Sequence, residues 1–392
     1  MNLETLCLHG GQQPDPTTNS RGVPVYRTAA YTFNSTEHAA NLFALKELGN
    51  IYTRLMNPTT DVLEKRMALL EGAHEMAGLG VASGTSGVFY SIINLAQAGD
   101  NIVSARNLYG GTYTQFNDIL PALGITVKFV DSNDPQAFAD AVDDKTRAFF
   151  CESVSNPSSE VTDIEAIANL AHDNGLPLIV DATFSTPYLC RPIEHGADIV
   201  VHSLTKWLGG HGSGIGGVVI DSAYILRMRT VPLRNLGACI APDNAWIALQ
   251  GIETLPLRME RHCENAGAVA RHLKGNDRVE WVRYPGLEDD PEYEKNLKYL
   301  SGKGGAMVVF EIKGGAEAGK NFIENLKLFS HLANVGDAKS LAINPATTTH
   351  SQLTPEQQAG GGITPGLIRL SVGIESIEDI LADIDQALAA SA

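Results

Sequence analysis

The stretch Leu178-Ile179-Val180-Asp181, followed by Ile199-Val200-Val201-His202-Ser203-Leu204-Thr205-Lys206, sets a carboxylate and an amine just beyond two short apolar runs. Apolar runs of this length, separated by enough chain for a helix, read as neighbouring strands of a parallel sheet whose carboxyl ends lie on one side. Asp181 and Lys206 are thereby brought to the open end of the same sheet. A lysine there can form a Schiff base with an aldehyde cofactor, and an aspartate can hold a pyridine nitrogen protonated, the pairing that makes pyridoxal phosphate (PLP) an electron sink. The pair alone decides little.

Outward from this stretch the alternation continues. Helical periods at 61–70 and 87–96 alternate with strand-like runs at 76–82, 101–104, 126–130, 146–151 and 217–220, with helical segments between most of them. This predicts a mostly parallel α/β sheet with its ligand at the strand ends. A long helical pattern over 242–273 is followed by strand-like runs at 279–284, 306–312 and 367–372, interleaved with helical ones at 316–326 and 377–390. That mixture predicts a smaller α+β domain. Residues 1–60, rich in Pro and without a long period before 39–48, read as an extended arm. The expected division is an arm (1–60), an α/β domain (61–255) and a C-terminal α+β domain (256–392).

Composition narrows the function. A chain of 392 residues buries a large core, and 29 basic against 45 acidic residues, a net charge of −16, argue against nucleic acid and anionic membrane as partners. Cys7, Cys151, Cys190, Cys239 and Cys263 form no C-x-x-C pair and fit isolated reduced thiols. No histidine pair has metal spacing, so no metal is expected, His211 included. Without a signal-like start or a membrane-length apolar run, a cytoplasmic protein is expected.

Several short motifs could carry chemistry. Ser83-Gly84-Thr85-Ser86-Gly87 joins a strand to a helix and would suit a phosphate, although a polar N-cap has the same appearance. Gly212-Ser213-Gly214-Ile215-Gly216-Gly217 has the dinucleotide spacing but precedes a strand instead of a helix, which excludes that use. Tyr109 in Leu108-Tyr109-Gly110-Gly111-Thr112 could stack on a ring and move protons, or simply pack. Arg369, in Arg369-Leu370-Ser371-Val372-Gly373, could bind an α-carboxylate through its guanidinium or make a surface ion pair. Nothing in the composition says what Tyr52 and Arg54 touch.

In order along the chain, Tyr52-Thr53-Arg54 with Asn57-Pro58-Thr59, Ser83-Gly84-Thr85, Leu108-Tyr109-Gly110-Gly111-Thr112, Asp181, Ser203-x-Thr205-Lys206 with Gly209-Gly210-His211-Gly212, and Arg369 to Gly373 resemble the Cys/Met-metabolism PLP-dependent enzymes of fold type I. The resemblance implies an α/β fold of the fold type I PLP-dependent transferases, with pyridoxal 5'-phosphate as cofactor. It implies that Lys206 is the Schiff-base lysine and acid/base, Asp181 the partner of the pyridinium nitrogen and Tyr109 the stacking ring. Gly84 and Thr85, beside Ser83, would bind the phosphate with Ser203 and Thr205, and Asn156 would approach the phenolic oxygen. Tyr52 and Arg54 would reach the phosphate of a neighbouring subunit, in a homotetramer built from dimers with shared active sites. Tyr52 could also share the proton work. Arg369 and Asn334 would bind the amino-acid substrate.

Within the family the chain looks most like the O-acetylhomoserine sulfhydrylases, or homocysteine synthases, through 108–113, 192–203, 334–339 and 344–350. That subgroup implies γ-replacement of acetate by a sulfur donor, in methionine biosynthesis. Methionine γ-lyase and cystathionine γ-synthase or lyase are the alternatives. Methionine γ-lyases typically carry a cysteine where this chain has Gly111, whereas the short run around 219–225, where many sulfhydrylases carry an insert after the glycine-rich strand, is lyase-like in length; either the insert is absent or the sequence skips a mobile segment, a lid, around Ser222 and Ala223.

Overall fold

Seven strands form one sheet: β1 (Gly78–Val81), β2 (Asn101–Ala105), β3 (Thr126–Val130), β4 (Thr146–Glu152), β5 (Leu178–Asp181), β6 (Ile199–Ser203) and β7 (Gly217–Asp221). Their order is β1-β7-β6-β5-β4-β2-β3. β7 runs against both of its neighbours, and the pairings from β6 through to β3 are parallel. The computed structural model describes residues 1–348, 358 and 362–391; Thr349 and His350 of the 344–350 motif lie outside them.

The central strands read as unbroken apolar runs because helices cover both faces of the sheet, so neither face reaches water. Burial is relieved at Asp181 and Ser203, where β5 and β6 end. Helices α1 (Pro58–Leu70) and α2 (Gly84–Leu95) begin where the sequence supplies caps. The Asn57 side chain accepts from Thr59 N ahead of Pro58, and the Ser83 hydroxyl accepts from Ser86 N at 3.0 Å.

The expected helix over 242–273 is in fact two, α3 (Pro242–Glu253) and α4 (Leu255–Lys274). Pro256 cannot donate into a preceding turn and starts the second helix instead. β8 (Val279–Arg283), β9 (Met307–Ile312), β10 (Ser330–His331), β11 (Leu341–Ile343) and β12 (Leu367–Ser371) form the second sheet, in the order β10-β11-β12-β9-β8. β10 and β11 are too short to leave a strand period. Helices α5 (Gly315–Asn325) and α6 (Ile377–Ala390) pack with α4 over this sheet.

The arm is not uniformly extended. It holds helices at Leu3–His9 and Thr36–Phe43, the second starting ahead of the expected 39–48. Arg66 fastens its start, with Nε donating to Gly10 O at 3.0 Å and Nη2 to the Gln12 side chain at 2.9 Å. After β7 the chain turns directly into the next helix, as Asp221 Oδ1 accepts from Ala223 N and Tyr224 N, both at 2.8 Å.

Candidate active site

A cavity of about 250 Å³ opens at the carboxyl ends of the parallel strands and is closed on one side by the second sheet. Ser83, Gly84, Thr85, Tyr109, Asn156, Asp181, Ser203, Thr205, Lys206, Asn334 and Arg369 all line it. Tyr52 and Arg54 do not. They lie on the arm, where the Arg54 guanidinium sits 5.3 Å over the Tyr52 ring.

Lys206 lies in a widened π-type turn, Leu204–Leu208, directly after β6. Such a turn frees carbonyls from the ordinary helical ladder, and buried Arg258 collects them. Its Nη1 donates to Trp207 O at 2.6 Å and its Nη2 to Leu208 O at 3.3 Å, while Nη2 also donates to Gly251 O of α3 at 2.6 Å. The Lys206 amine donates to Asn334 Oδ1 at 2.6 Å. Burial first, and then the Arg369 guanidinium, depress its pKa to about 8, so a useful fraction is neutral near physiological pH.

Arg369 on β12 is buried. Its Nη1 donates to Asn156 Oδ1 at 2.7 Å and its Nη2 to Asn334 O at 3.4 Å, and no carboxylate pairs with it among the described residues. Burial lowers its pKa to about 10. A buried guanidinium whose partners are neutral oxygens is a receptor for an anion, and its fork matches a carboxylate.

Asp181 lies at the cavity floor, where desolvation raises its pKa against the opposing hydrogen bonds of Thr183. Its Oδ1 accepts from Thr183 N at 2.9 Å, and the Thr183 hydroxyl in turn accepts from Ser203 N at 2.8 Å. A carboxylate so placed, with no lysine or arginine paired to it among the described residues, suits a protonated ring nitrogen.

Across the cavity the N-terminus of α2 presents Gly84 and Thr85 beside Ser203 and Thr205. A Cβ on Gly84 would come within 2.8 Å of Ser203 Cβ, so only glycine lets the helix end approach the strand end this closely. A helix N-terminus with hydroxyl donors around it is a phosphate site. PLP therefore fits the residues present: an anion site at one end, an unpaired carboxylate at the other, and a lysine of lowered pKa on the same wall.

Two polar lining residues carry no sequence signal. Glu152 ends β4, which runs one residue further than the expected 146–151, and Thr183 bridges Asp181 and Ser203. Gly212 to Gly217 connect the Lys206 turn to β7, with no helix following, as the rejection of dinucleotide binding requires. Among the described residues no group of His, Cys, Asp or Glu could hold a metal ion, and no helix is long and apolar enough to cross a membrane.

Comparison with known proteins agrees with this geometry. The chain is 52% identical to the O-acetyl-L-homoserine sulfhydrylase of Leptospira meyeri over 426 aligned positions, covering 98% of this chain and 96% of that one. The alignment is longer than the 392-residue chain, so the Leptospira protein has residues without a counterpart here. It is 48% identical to the homocysteine synthase of Schizosaccharomyces pombe, covering 99% and 98% of the two chains. The fold matches, with a TM-score of 0.96 and 39% identity over 99% of this chain and all of the other, a crystal structure described as an O-acetylhomoserine (thiol)-lyase of Campylobacter jejuni, which contains a pyridoxyl-lysine monophosphate. The family model for Cys/Met metabolism PLP-dependent enzymes matches residues 4–389, and the chain belongs to that family.

Proposed function

We propose that the protein is an O-acetyl-L-homoserine sulfhydrylase, exchanging the acetate of O-acetyl-L-homoserine for a sulfur nucleophile to give L-homocysteine. The observation that carries this reading is the juxtaposition of Lys206 and Arg369 through Asn334, a proton-moving amine beside a guanidinium without a carboxylate, in one cavity.

In this reading Arg369, steadied by Asn156, takes the substrate carboxylate and so points the amino acid's α-carbon toward Lys206. PLP would be held by Lys206, by Asp181 at its ring nitrogen, by Tyr109 at its face and by Ser83, Gly84, Thr85, Ser203 and Thr205 at its phosphate, and would supply the electron sink. Lys206 Nζ takes and returns the substrate's protons, a role its depressed pKa suits. The net exchange breaks the Cγ–O bond, releasing acetate, and forms a Cγ–S bond to sulfide, the proposed donor.

Gly111 supports replacement over elimination. A Cβ there would stand 2.5 Å from Tyr109 Cε1, so any side chain, the cysteine typical of methionine γ-lyases included, would turn the ring away from its present position. The direct turn after β7 is the one lyase-like feature.

Tyr52 and Arg54 are assigned to the phosphate end of a neighbouring copy's cavity, in a dimer that pairs again as a homotetramer. Their absence from their own cavity supports this, as do the exposed Phe33, Phe43, Leu45 and Leu48 on the arm and Val231 and Leu236 beyond β7. A cytoplasmic location is supported by the free thiols, four of them buried.

The test is a paired product assay on purified protein, with O-acetylhomoserine plus sulfide in one reaction and methionine alone in the other. Homocysteine in the first and little 2-oxobutyrate in the second is expected. Abundant 2-oxobutyrate from methionine would make the protein a γ-lyase and overturn the reading.

A further inference from the structure

Among the described residues, Glu152 is the one ionisable side chain lining the cavity that the reaction above does not use. It ends β4, is 6% exposed, and stands in register with Asp181 on the neighbouring parallel strand. Partners in register point to the same face of a sheet about 5 Å apart, so two carboxyl groups share the cavity floor. Glu152 Oε1 accepts from Tyr109 N at 2.7 Å, and its carboxyl also receives the backbone N–H of Asn156.

These are the amides of two residues that matter to the site. Tyr109 opens the turn that presents the ring, and Asn156 holds Arg369 through its side chain. One carboxyl therefore ties the loop after β2 to the loop after β4.

We propose that Glu152 is a positioning residue of this site, a neutral acid whose oxygens fix the Tyr109 and Asn156 backbones and leave Asp181 as the single negative charge on the floor. The assignment rests on the roles given above to Tyr109 and Asn156. Burial, and next the Asp181 carboxylate facing it, push the Glu152 carboxyl well above the usual range, in keeping with a protonated group. Two buried anions side by side would repel, and one of the pair takes a proton.

A neutral acceptor has a neutral replacement. Glu152→Gln keeps the volume and one accepting oxygen, whose two lone pairs can serve both amides, Glu152→Asp keeps the acid but withdraws it by one methylene, and Glu152→Ala strands both amides. PLP affinity of the apoprotein, kcat and KM measured separately, and the thermal midpoint of the apoprotein are read for each variant.

Glu152→Gln is expected to stay within about threefold of the parent in all kinetic terms. Glu152→Ala is expected to weaken PLP binding at least about tenfold and to raise KM by a similar factor, because Tyr109 and Asn156 both shift. A purely structural role would lower the thermal midpoint while leaving KM and PLP affinity of the folded fraction unchanged. Should Glu152→Ala fail to fold, the remaining pair decides: Gln close to the parent with Asp at least about tenfold impaired supports the assignment. Gln as damaging as Asp, or Ala with unaltered PLP affinity and KM, overturns it. A parent protein that takes up no PLP would instead defeat the proposed function, so the two failures are distinct.

Discussion

At the ends of β5 and β6 each side chain assigned to chemistry is anchored by packed strands: Asp181 to Thr183, Thr183 to Ser203, Lys206 to Asn334, Arg369 to Asn156. The arm is built differently. Between residues 11 and 56 Leu42 is the only buried residue, and Tyr52 and Arg54 have mainly each other. A strand-end floor over a shared core is complete within a single chain, whereas an arm with exposed aromatic and aliphatic side chains leaves apolar surface that the proposed partner copy would cover. In the dimer proposed above, the contrast would separate the residues a chain keeps for its own site from those it lends to a neighbour's.

That division can be broken by subunit mixing. Lys206→Ala removes the amine proposed to move protons and should cost about 10⁴-fold in turnover or more. Arg54→Ala, which removes the charged phosphate contact proposed above, should cost about 10- to 100-fold. If the arm serves a neighbour, unfolding the two variants together and reassembling them produces hybrids in which one site carries both defects and the other carries neither. Roughly a quarter of all sites then regain parent activity. No recovery above the sum of the separate variants would return the arm to its own cavity and dissolve the contrast.

A smaller effect sharpens the description of the floor. Since Lys206 titrates near pH 8 and not near 10.5, its neutral form increases about tenfold per unit as the pH rises toward 8 and then levels off. The rate at which an amine-reactive probe modifies Lys206 in the apoprotein, followed by peptide mapping, should trace this curve. A midpoint close to that of an exposed lysine would mean that the cavity does not desolvate the amine.

Much of the floor is legible in the sequence because the central strands are buried on both faces. Leu178 to Val180 and Ile199 to Val201 therefore appear as apolar runs, and the first polar residues after them, Asp181 and His202-Ser203, mark the open end. Glu152 is not legible. β4 continues through it without a break in pairing, and its meaning comes from Asp181 on the next strand and from two backbone amides, neither of which leaves a local pattern. The same holds for the widened turn at Lys206, which depends on Arg258 reaching it from α4. The break between α3 and α4 was available in Pro256, but the apolar period continues across it. The arm's two helices are short, at seven and eight residues, and leave little period to detect.

The central claim is that Lys206, and no other lysine, carries PLP. Borohydride reduction of the PLP-loaded protein fixes the cofactor to whichever lysine holds it, and proteolysis with mass mapping locates the label. The account predicts pyridoxyl label on the peptide containing Lys206 alone; label on other lysines with Lys206 unmodified would contradict it.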